Sequence, residues 1–383
     1  MNASILKLLR QERSRSFILL MFVFLVILAG CDKEKSAESP PSTENGGDFP
    51  KEDTKNRNIE VVAPIETEQG SFYSAYGWLD DYKIIYITEA NEQSQVYSYD
   101  LVSGESELIY ESSGPIISLE VSPSKRHILV HSSISTYEGH VEILDLNGNE
   151  VFSKDIASAD LAFEWNPSDE NIILVSSFTE NWEFSSFQLN IQDQSFQEIS
   201  LPQPFVYWVG KNKLLYLDWD ENSIQLVAPL KEYNLKTNEN ENKLPAIFQV
   251  DSFADHFMTI SIPEVDQESA EYTFYSKDYE KLQTIKVPIL SSFSDWLVPY
   301  YDFLDTSTSF LTFQPLHYAS ADLYKDGFQL VRYNIGKGKK DILFESLQNE
   351  PLSCSPNGDF CLYGHYFEKL INLKSKEIIQ LNK

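Results

Sequence analysis

Cysteine and histidine, the soft and imidazole ligands of metal sites, are scarce in this chain of 383 residues, which has three cysteines and six histidines. The histidines include no His-x-x-x-His pair in a helical pattern. His127 and His131 are four residues apart in a strand pattern, where that spacing separates the side chains by about 13 Å, too far to share one ion. The sequence therefore predicts no metal site and contains no signal for a cofactor.

Sequence motifs of common enzyme classes are also missing. The chain has no Gly-x-Ser-x-Gly nucleophile elbow and no Gly-x-x-x-x-Gly-Lys phosphate loop, which excludes the hydrolase and nucleotide-binding classes that those motifs mark. We predict that the protein is not an enzyme, and no catalytic residue is assigned.

Positive charge is the third scarcity. The chain has 30 lysines and arginines against 58 aspartates and glutamates, a formal net charge of −28. Such a surface is repelled by nucleic acid and by anionic lipid head groups, so we expect no nucleic-acid partner. A basic protein or a cation is the more suitable partner.

The N-terminal residues 1–30 are expected to be an export signal. A basic start is followed by an unbroken apolar run, residues 17–28, which is short of the roughly 20 residues that a spanning helix needs. The run ends in LAGC, which resembles the bacterial lipobox. That resemblance implies cleavage between Gly30 and Cys31 and a diacylglycerol on the sulfur of Cys31.

Residues 31–58 have the composition of a flexible tether. They are charged and rich in Ser, Pro, Gly and Asn, and they cannot bury enough apolar surface to fold. As a flexible coil the segment would span about 30 Å. The expected location is the extracytoplasmic face of the cell membrane, with the lipid on Cys31 as the anchor. A diacyl group is sufficient for stable membrane attachment, whereas a single acyl chain binds only weakly.

Residues 59–383 are predicted to be all-β. Apolar and polar residues alternate in QVYSYDL (95–101), HVEILDL (140–146) and FQLVRYNI (328–335), and no dozen residues hold a helical period. The polar stretch NLKTNENENK (234–243) is interpreted as a surface loop.

Internal repeats indicate a β-propeller. EVSPSKRHILVHS (from Glu120), EWNPSDENIILVSS (from Glu164) and SCSPNGDFCLYG (from Ser353) share a strand, a turn with proline and an apolar strand. Together with weaker copies, the first apolar residues after the turns lie 42 to 53 residues apart: Ile84, Ile128, Ile172, Leu214, Phe257, Phe310 and Phe360. That spacing is typical of four-stranded propeller blades, six or seven in number. Residues 59–66 are predicted to add a closing strand beside the last blade.

The turn pattern Ser-Pro-x-Gly before an apolar strand resembles the repeats of TolB-like and WD40-like propellers. With the lipobox and the acidic tether, the chain resembles the YqgU-like bacterial lipoproteins. That resemblance implies a six-bladed propeller and carries over no catalytic residue. If the count is six, Phe310 is the first position to doubt, because neither proline nor glycine marks its turn.

Two carboxylates are candidates for the central channel. Glu120 and Glu164 each stand eight residues before their repeat positions, in the strand that lines the channel of a propeller. They would bind a cation or a basic group, or only solvate the channel. Three tryptophans recur just after this place, and we interpret Trp78, Trp165 and Trp208 as packing between blades.

Cys354 and Cys361 flank a turn in the last repeat and are a candidate disulfide. Export favours this interpretation. A two-residue turn at Asn357-Gly358 would make them a hydrogen-bonded cross-strand pair with Cα atoms about 5.5 Å apart. Two free buried thiols are the alternative.

The leading functional hypothesis is a non-enzymatic lipoprotein that presents a propeller to an envelope protein, peptide or glycan. The alternative is an envelope glycan lyase or hydrolase that uses the channel carboxylates, because acid–base chemistry needs only two placed carboxyl groups.

Overall fold

The computed structural model describes residues 59–67, 69–90, 93–220, 225–292, 295–304 and 308–383. The predicted signal peptide, the cleavage position at Gly30 and Cys31, and the predicted tether lie outside these residues. Within the described ranges the chain forms 31 β-strands. No helix in this part of the chain is long and apolar enough to cross a membrane.

Seven four-stranded antiparallel sheets follow one another along the described residues, and we call them blades 1 to 7. Blade 1 contains β1 (Ser71–Trp78), β2 (Lys83–Ala90), β3 (Gln93–Asp100) and β4 (Ser106–Glu111). Blade 2 contains β5 (Ile116–Val121), β6 (His127–Ser135), β7 (Glu138–Asp145) and β8 (Glu150–Ala157). Blade 3 contains β9 (Asp160–Trp165), β10 (Ile172–Phe178), β11 (Phe184–Asn190) and β12 (Ser195–Ile199).

The second half of the ring repeats the pattern. Blade 4 contains β13 (Tyr207–Gly210), β14 (Lys213–Leu217), β15 (Ala228–Asn234) and β16 (Glu239–Ile247). Blade 5 contains β17 (Gln249–Ser252), β18 (His256–Ser261), β19 (Ser269–Ser276) and β20 (Lys281–Pro288).

The chain after blade 5 contains β21 (Leu290–Ser292), β22 (Asp295–Leu297), β23 (Tyr301–Leu304), β24 (Ser309–Pro315), β25 (Ala319–Ser320), β26 (Phe328–Asn334) and β27 (Lys339–Leu347). Blade 6 is formed by β23, β24, β26 and β27, whereas β21, β22 and β25 form a separate three-stranded sheet. Blade 7 contains β28 (Leu352–Cys354), β29 (Phe360–Tyr363), β30 (Lys369–Asn372) and β31 (Glu377–Gln380).

Burial differs between the strands of a blade. The second strands are almost wholly buried, as in β2 and β10, whereas the fourth strands are largely exposed, as in β4 and β16. The polar stretch at 234–243, interpreted above as a loop, is therefore mostly strand: β16 is the exposed outer strand of blade 4 and pairs with β15. The predicted surface position is confirmed, but the loop assignment was wrong, because an outer strand that faces solvent needs no apolar side chains.

Apolar clusters lie between neighbouring blades all around the ring. Each blade is buried on both faces because a neighbour covers each of them, for example Leu129 of blade 2 against Phe163 of blade 3. The cluster between the last and first blades joins Phe360 and Leu362 to Trp78 and Ile84. The ring is thereby closed, and the prediction of a propeller of four-stranded blades is confirmed.

Residues 59–66 lie between blades 1 and 7, but they are not a strand. The backbone N–H of Val62 donates to Leu101 in blade 1, and that of Ile65 donates to Leu381 after blade 7. Ile65 is buried in the cluster that joins the two blades. The segment closes the ring beside the last blade, as expected from its position, without forming the predicted strand ladder.

The seven repeat positions chosen from the sequence all lie in second strands. In two blades the chosen residue is one position away from the residue that is structurally equivalent. Ile172 begins β10, but Ile173 is the residue that pairs like Ile128, because the preceding turn of blade 3 is one residue longer. In blade 7 the equivalent residue is Cys361 rather than Phe360. Phe310 lies in β24 and is fully buried, so the doubt about it was misplaced. The long spacings around it come from the small three-stranded sheet.

Candidate functional site: the mouth of the central channel

The mouth of the channel is a cavity of about 1070 Å³. It opens where the first strands of blades 1, 2, 3, 5, 6 and 7 turn into the second strands. Its walls include residues of β1, β5, β9, β23 and β28, together with the turns that follow β5 and β9. Its volume is slightly above the range of about 300 to 1,000 Å³ that is usual for small-molecule sites.

One register position recurs around this channel, and we call it the ring position. In every blade the first strand pairs with the second, and one residue pair near the turn is common to all seven ladders. The ring position is the residue of the first strand that comes directly before that pair. Its occupants in blades 1 to 7 are Gly77, Glu120, Glu164, Tyr207, Asp251, Asp302 and Ser353. Four of the seven are carboxylates, so negative charge is concentrated at one level of the channel.

The structure places both predicted channel carboxylates at the ring position. Glu120 and Glu164 belong to adjacent blades, line the cavity and are half-buried. Sequence reasoning missed Asp251 and Asp302. Asp302 was within reach, because it stands eight residues before Phe310, the same offset as Glu120 from Ile128. Asp251 was hidden by a shorter turn.

The two further carboxylates are bonded to the next blade. Asp302 Oδ2 accepts the backbone N–H of Cys354 at 2.5 Å, and Asp251 Oδ2 accepts the hydroxyl of Tyr301 at 3.2 Å. Ring-position side chains thus reach from one blade to the following one. These two acids hold neighbouring first strands together as well as contributing charge.

Two cations lie at the rim, in the turn after β5. Burial lowers the pKa of Lys125, against the attraction of the Asp302 carboxylate, which raises it. Arg126 pairs with Glu170 of the next turn, and the hydroxyl of Ser124 donates to the same carboxylate. The rim cations are therefore engaged with acids of the protein itself.

The three recurring tryptophans directly follow ring positions. Trp78 Nε1 donates to the backbone carbonyl of Ser353 at 2.9 Å, and Trp208 Nε1 donates to that of Glu164 at 3.3 Å. Each acceptor is the ring-position residue of the preceding blade. Trp165 is 7% exposed and packs against blade 2, but its Nε1 has no acceptor among the described residues.

Metal-ligating side chains do not converge at the mouth. In the part of the chain that the structure describes, no group of three or more His, Cys, Asp or Glu side chains is arranged to hold an ion. What the cavity presents is a level of carboxylates between aromatic side chains.

Cys354 and Cys361 lie opposite each other in β28 and β29, with their sulfur atoms 1.95 Å apart and their Cα atoms 3.8 Å apart. The predicted two-residue turn and hydrogen-bonded pairing were wrong. The N–H of Ser355 donates to Phe360, so the turn holds four residues. The cysteines occupy the adjacent non-hydrogen-bonded pair, where strands approach more closely, and the N–H of Cys354 is free to bond Asp302.

We propose that these cysteines form a disulfide in the exported protein. Alkylation of the denatured, unreduced chain is expected to modify neither one, and alkylation after reduction to modify both, as counted by mass spectrometry. Replacing both with alanine should lower the free energy of unfolding by about 2.5 kcal/mol, the loop-closure entropy of so short a ring. Reductant should destabilise the wild type and leave the double variant unchanged. Two alkylated thiols without reduction would contradict the proposal.

Four-stranded antiparallel sheets arranged in a closed ring around a channel define a β-propeller. The chain belongs to the family described as the YqgU-like 6-bladed beta propeller domain, whose model matches residues 100–364. The match begins at the end of β3, so most of blade 1 lies outside it. The family description counts six blades, whereas the described residues of this chain form seven four-stranded sheets.

A curated relative and two solved structures agree with this assignment. The chain is 27% identical over 370 residues to the uncharacterized lipoprotein YqgU of Bacillus subtilis (strain 168), covering 96% of this chain and 97% of the relative. The uncharacterized protein lmo1340 from Listeria monocytogenes EGD-e superposes with a TM-score of 0.76 at 20% identity, covering 85% of this chain and 98% of that one. The β-propeller domain of the Trilobed protease from Pyrococcus furiosus has a TM-score of 0.54 at 11% identity, covering 82% and 98%. The two structures support the fold alone.

Proposed function

We propose that the protein is a lipoprotein anchored through Cys31 on the extracytoplasmic face of the cell membrane, and that its propeller binds an envelope partner at the channel mouth. The anchor is supported by the lipobox and by the relative whose name is that of a lipoprotein. The binding role is carried by one observation, the large cavity bordered by ring-position carboxylates.

Binding is favoured over catalysis by the state of two of the acids at the mouth, Asp302 and Glu170. Asp302 is held by a backbone N–H and attracts Lys125, and Glu170 is paired with Arg126. Carboxyl groups engaged in this way stabilise structure and charge, whereas general acid–base catalysis needs a carboxyl group within reach of the substrate proton.

A photo-crosslinking amino acid in place of Ser168, an exposed residue of the cavity wall, tests the binding role in living cells. We expect light-dependent crosslinking to an envelope component that has not been cleaved, so that its own mass is unchanged. The amount of this adduct should fall at least several-fold when Glu120→Gln and Glu164→Gln are added. The matched control places the same amino acid at Glu198, which is exposed on the outer strand β12, and should give no adduct. Equal adducts from both positions, or a cleaved product at the mouth, would contradict the proposal.

A further inference from the structure

The indole N–H of Trp165 is a buried donor without an acceptor. The side chain is 7% exposed, lines the cavity, and has no hydrogen-bond partner for Nε1 among the described residues. A buried donor left unpaired costs stability comparable to a lost hydrogen bond, and such groups are rare in native proteins. An acceptor that enters the cavity would remove this cost.

Trp78 and Trp208 show that the vacancy is specific to blade 3. All three tryptophans occupy the same register position, and all three pack in the cluster shared with the preceding blade. In blades 1 and 4 the N–H bonds the carbonyl of the preceding ring-position residue. In blade 3 the corresponding neighbour is Glu120, and no such bond forms. The unpaired N–H therefore belongs to a side chain that packs against blade 2, the blade whose first strand carries Glu120.

The charge around this donor selects for a cation. Glu120 and Glu164 are joined at the ring position by Asp251 and Asp302, and among the described residues Lys125 is a cation close enough to interact with Asp302. Arg126 is bound to Glu170 at the rim. The level is net negative, so it attracts a positive group and repels an anion.

The aromatic walls favour a slender ligand over a sugar ring. Phe163, Trp165 and Phe303 line the cavity, yet each is less than a tenth exposed. Their faces are packed between blades, so they do not form an open platform on which a pyranose would stack. A flexible alkyl chain that ends in a cation passes between such walls and keeps its methylenes in apolar contact.

We propose that the channel mouth binds a peptide segment that carries a lysine or arginine side chain. The cationic end lies at the level of Glu120 and Glu164, and a backbone carbonyl of the segment accepts the N–H of Trp165. This inference rests on the proposed binding function and names its ligand class. Both features of the site, the acidic level and the unpaired donor, are satisfied by one ligand of this kind.

Calorimetry on the full chain in mild detergent tests the proposal with three probes. They are the blocked peptide acetyl-Gly-Gly-Lys-Gly-Gly-amide, the same peptide with glutamate in place of lysine, and n-butylammonium, which is a cation without an acceptor. We expect the lysine peptide to bind, the glutamate peptide not to bind, and butylammonium to bind more weakly than the lysine peptide. The double variant Glu120→Gln with Glu164→Gln should lower the affinity for the lysine peptide and for butylammonium at least tenfold.

Trp165→Phe separates the hydrogen bond from packing, because it removes the N–H and keeps an aromatic ring. It should lower the affinity for the lysine peptide by about 2- to 10-fold and leave the affinity for butylammonium unchanged. The matched control is Trp208→Phe, whose N–H is already paired; it should lower stability and leave both affinities unchanged. Lys125→Met removes the competing cation and should raise the affinity for the lysine peptide.

Each contrary result has a separate meaning. Equal weakening of both cations by Trp165→Phe, or no weakening, overturns the role of the N–H. Binding of the glutamate peptide, or loss of binding in Lys125→Met, overturns the cationic ligand class. If the wild-type chain binds no lysine peptide at millimolar concentration while the Ser168 adduct persists, or if that adduct is a glycan, the inference fails and the binding function stands. If no adduct forms either, the binding function fails with it.

Discussion

Replacing Cys31 with serine is expected to abolish incorporation of a labelled fatty acid into the protein. The reason is chemical: the thioether that holds diacylglycerol needs the sulfur of Cys31, and serine has none. Without the proposed acyl chains, the net negative charge of the chain disfavours contact with an anionic membrane. The measurement is metabolic labelling followed by purification, with the label counted per molecule of protein.

The matched control for that experiment is Cys354→Ser, which removes a different cysteine and should keep the full label. Protease added to intact cells, with the outer barrier opened where the envelope has one, should digest the propeller and thereby report its side of the membrane. Label absent from the wild type would show that the N-terminal segment acts as an ordinary signal or an uncleaved membrane anchor, and label retained in Cys31→Ser would show that another residue carries the fatty acid.

Trp78→Ala is expected to lower the free energy of unfolding by about 4 kcal/mol, the usual cost of removing a large buried aromatic side chain. Trp78 is 2% exposed and packs at the contact between blades 1 and 7. Its N–H also satisfies the carbonyl of Ser353 across that contact. Because each blade is made of consecutive strands, no strand ladder joins the first blade to the last among the described residues. Side-chain packing and residues 59–66 therefore close the ring.

Urea denaturation followed by circular dichroism measures this effect. Trp182→Ala is the control, because Trp182 is 41% exposed in the turn between β10 and β11 and should change stability by less than about 0.5 kcal/mol. The loss of unfolding free energy in Trp78→Phe should lie between the losses in Trp78→Ala and Trp182→Ala, because phenylalanine keeps most of the ring volume and loses the hydrogen bond. A Trp78→Ala protein as stable as the wild type would mean that this contact does not hold the ring together.

The repeat spacing predicted the fold because it reflects local physics. Each blade needs an apolar second strand and a turn that reverses the chain, and these features recur at a measurable interval in the sequence. The outer strands carry no such signal: β16 is polar because it faces solvent, and its sequence resembled a loop. Blade 6 was doubted because its turn lacks proline and glycine, although the burial of Phe310 shows an ordinary second strand.

The candidate site was predicted in part. An offset shared by two clear repeats was enough to place Glu120 and Glu164 in the channel. Asp251 was not predicted, because turns of different length change the number of residues between the ring position and the repeat position. Only the backbone pairing of the strands shows that Asp251 is equivalent to Glu120. The unpaired N–H of Trp165 has no sequence signal, because Trp78 and Trp208 occupy the same repeat position and only the structure shows that their N–H groups are paired.

The amino-acid sequence by itself determined the all-β character, the repeating blade, the acidity of the chain and the expectation of a lipid anchor, since each follows from composition or from short-range pattern. Only the tertiary structure decided the number of sheets, the close pairing of Cys354 with Cys361, and the level at which carboxylates of separate blades meet. Those properties depend on which strands become neighbours when the ring closes. The residues concerned are 40 or more positions apart or lie across a turn of unknown length, so no local pattern encodes their distance.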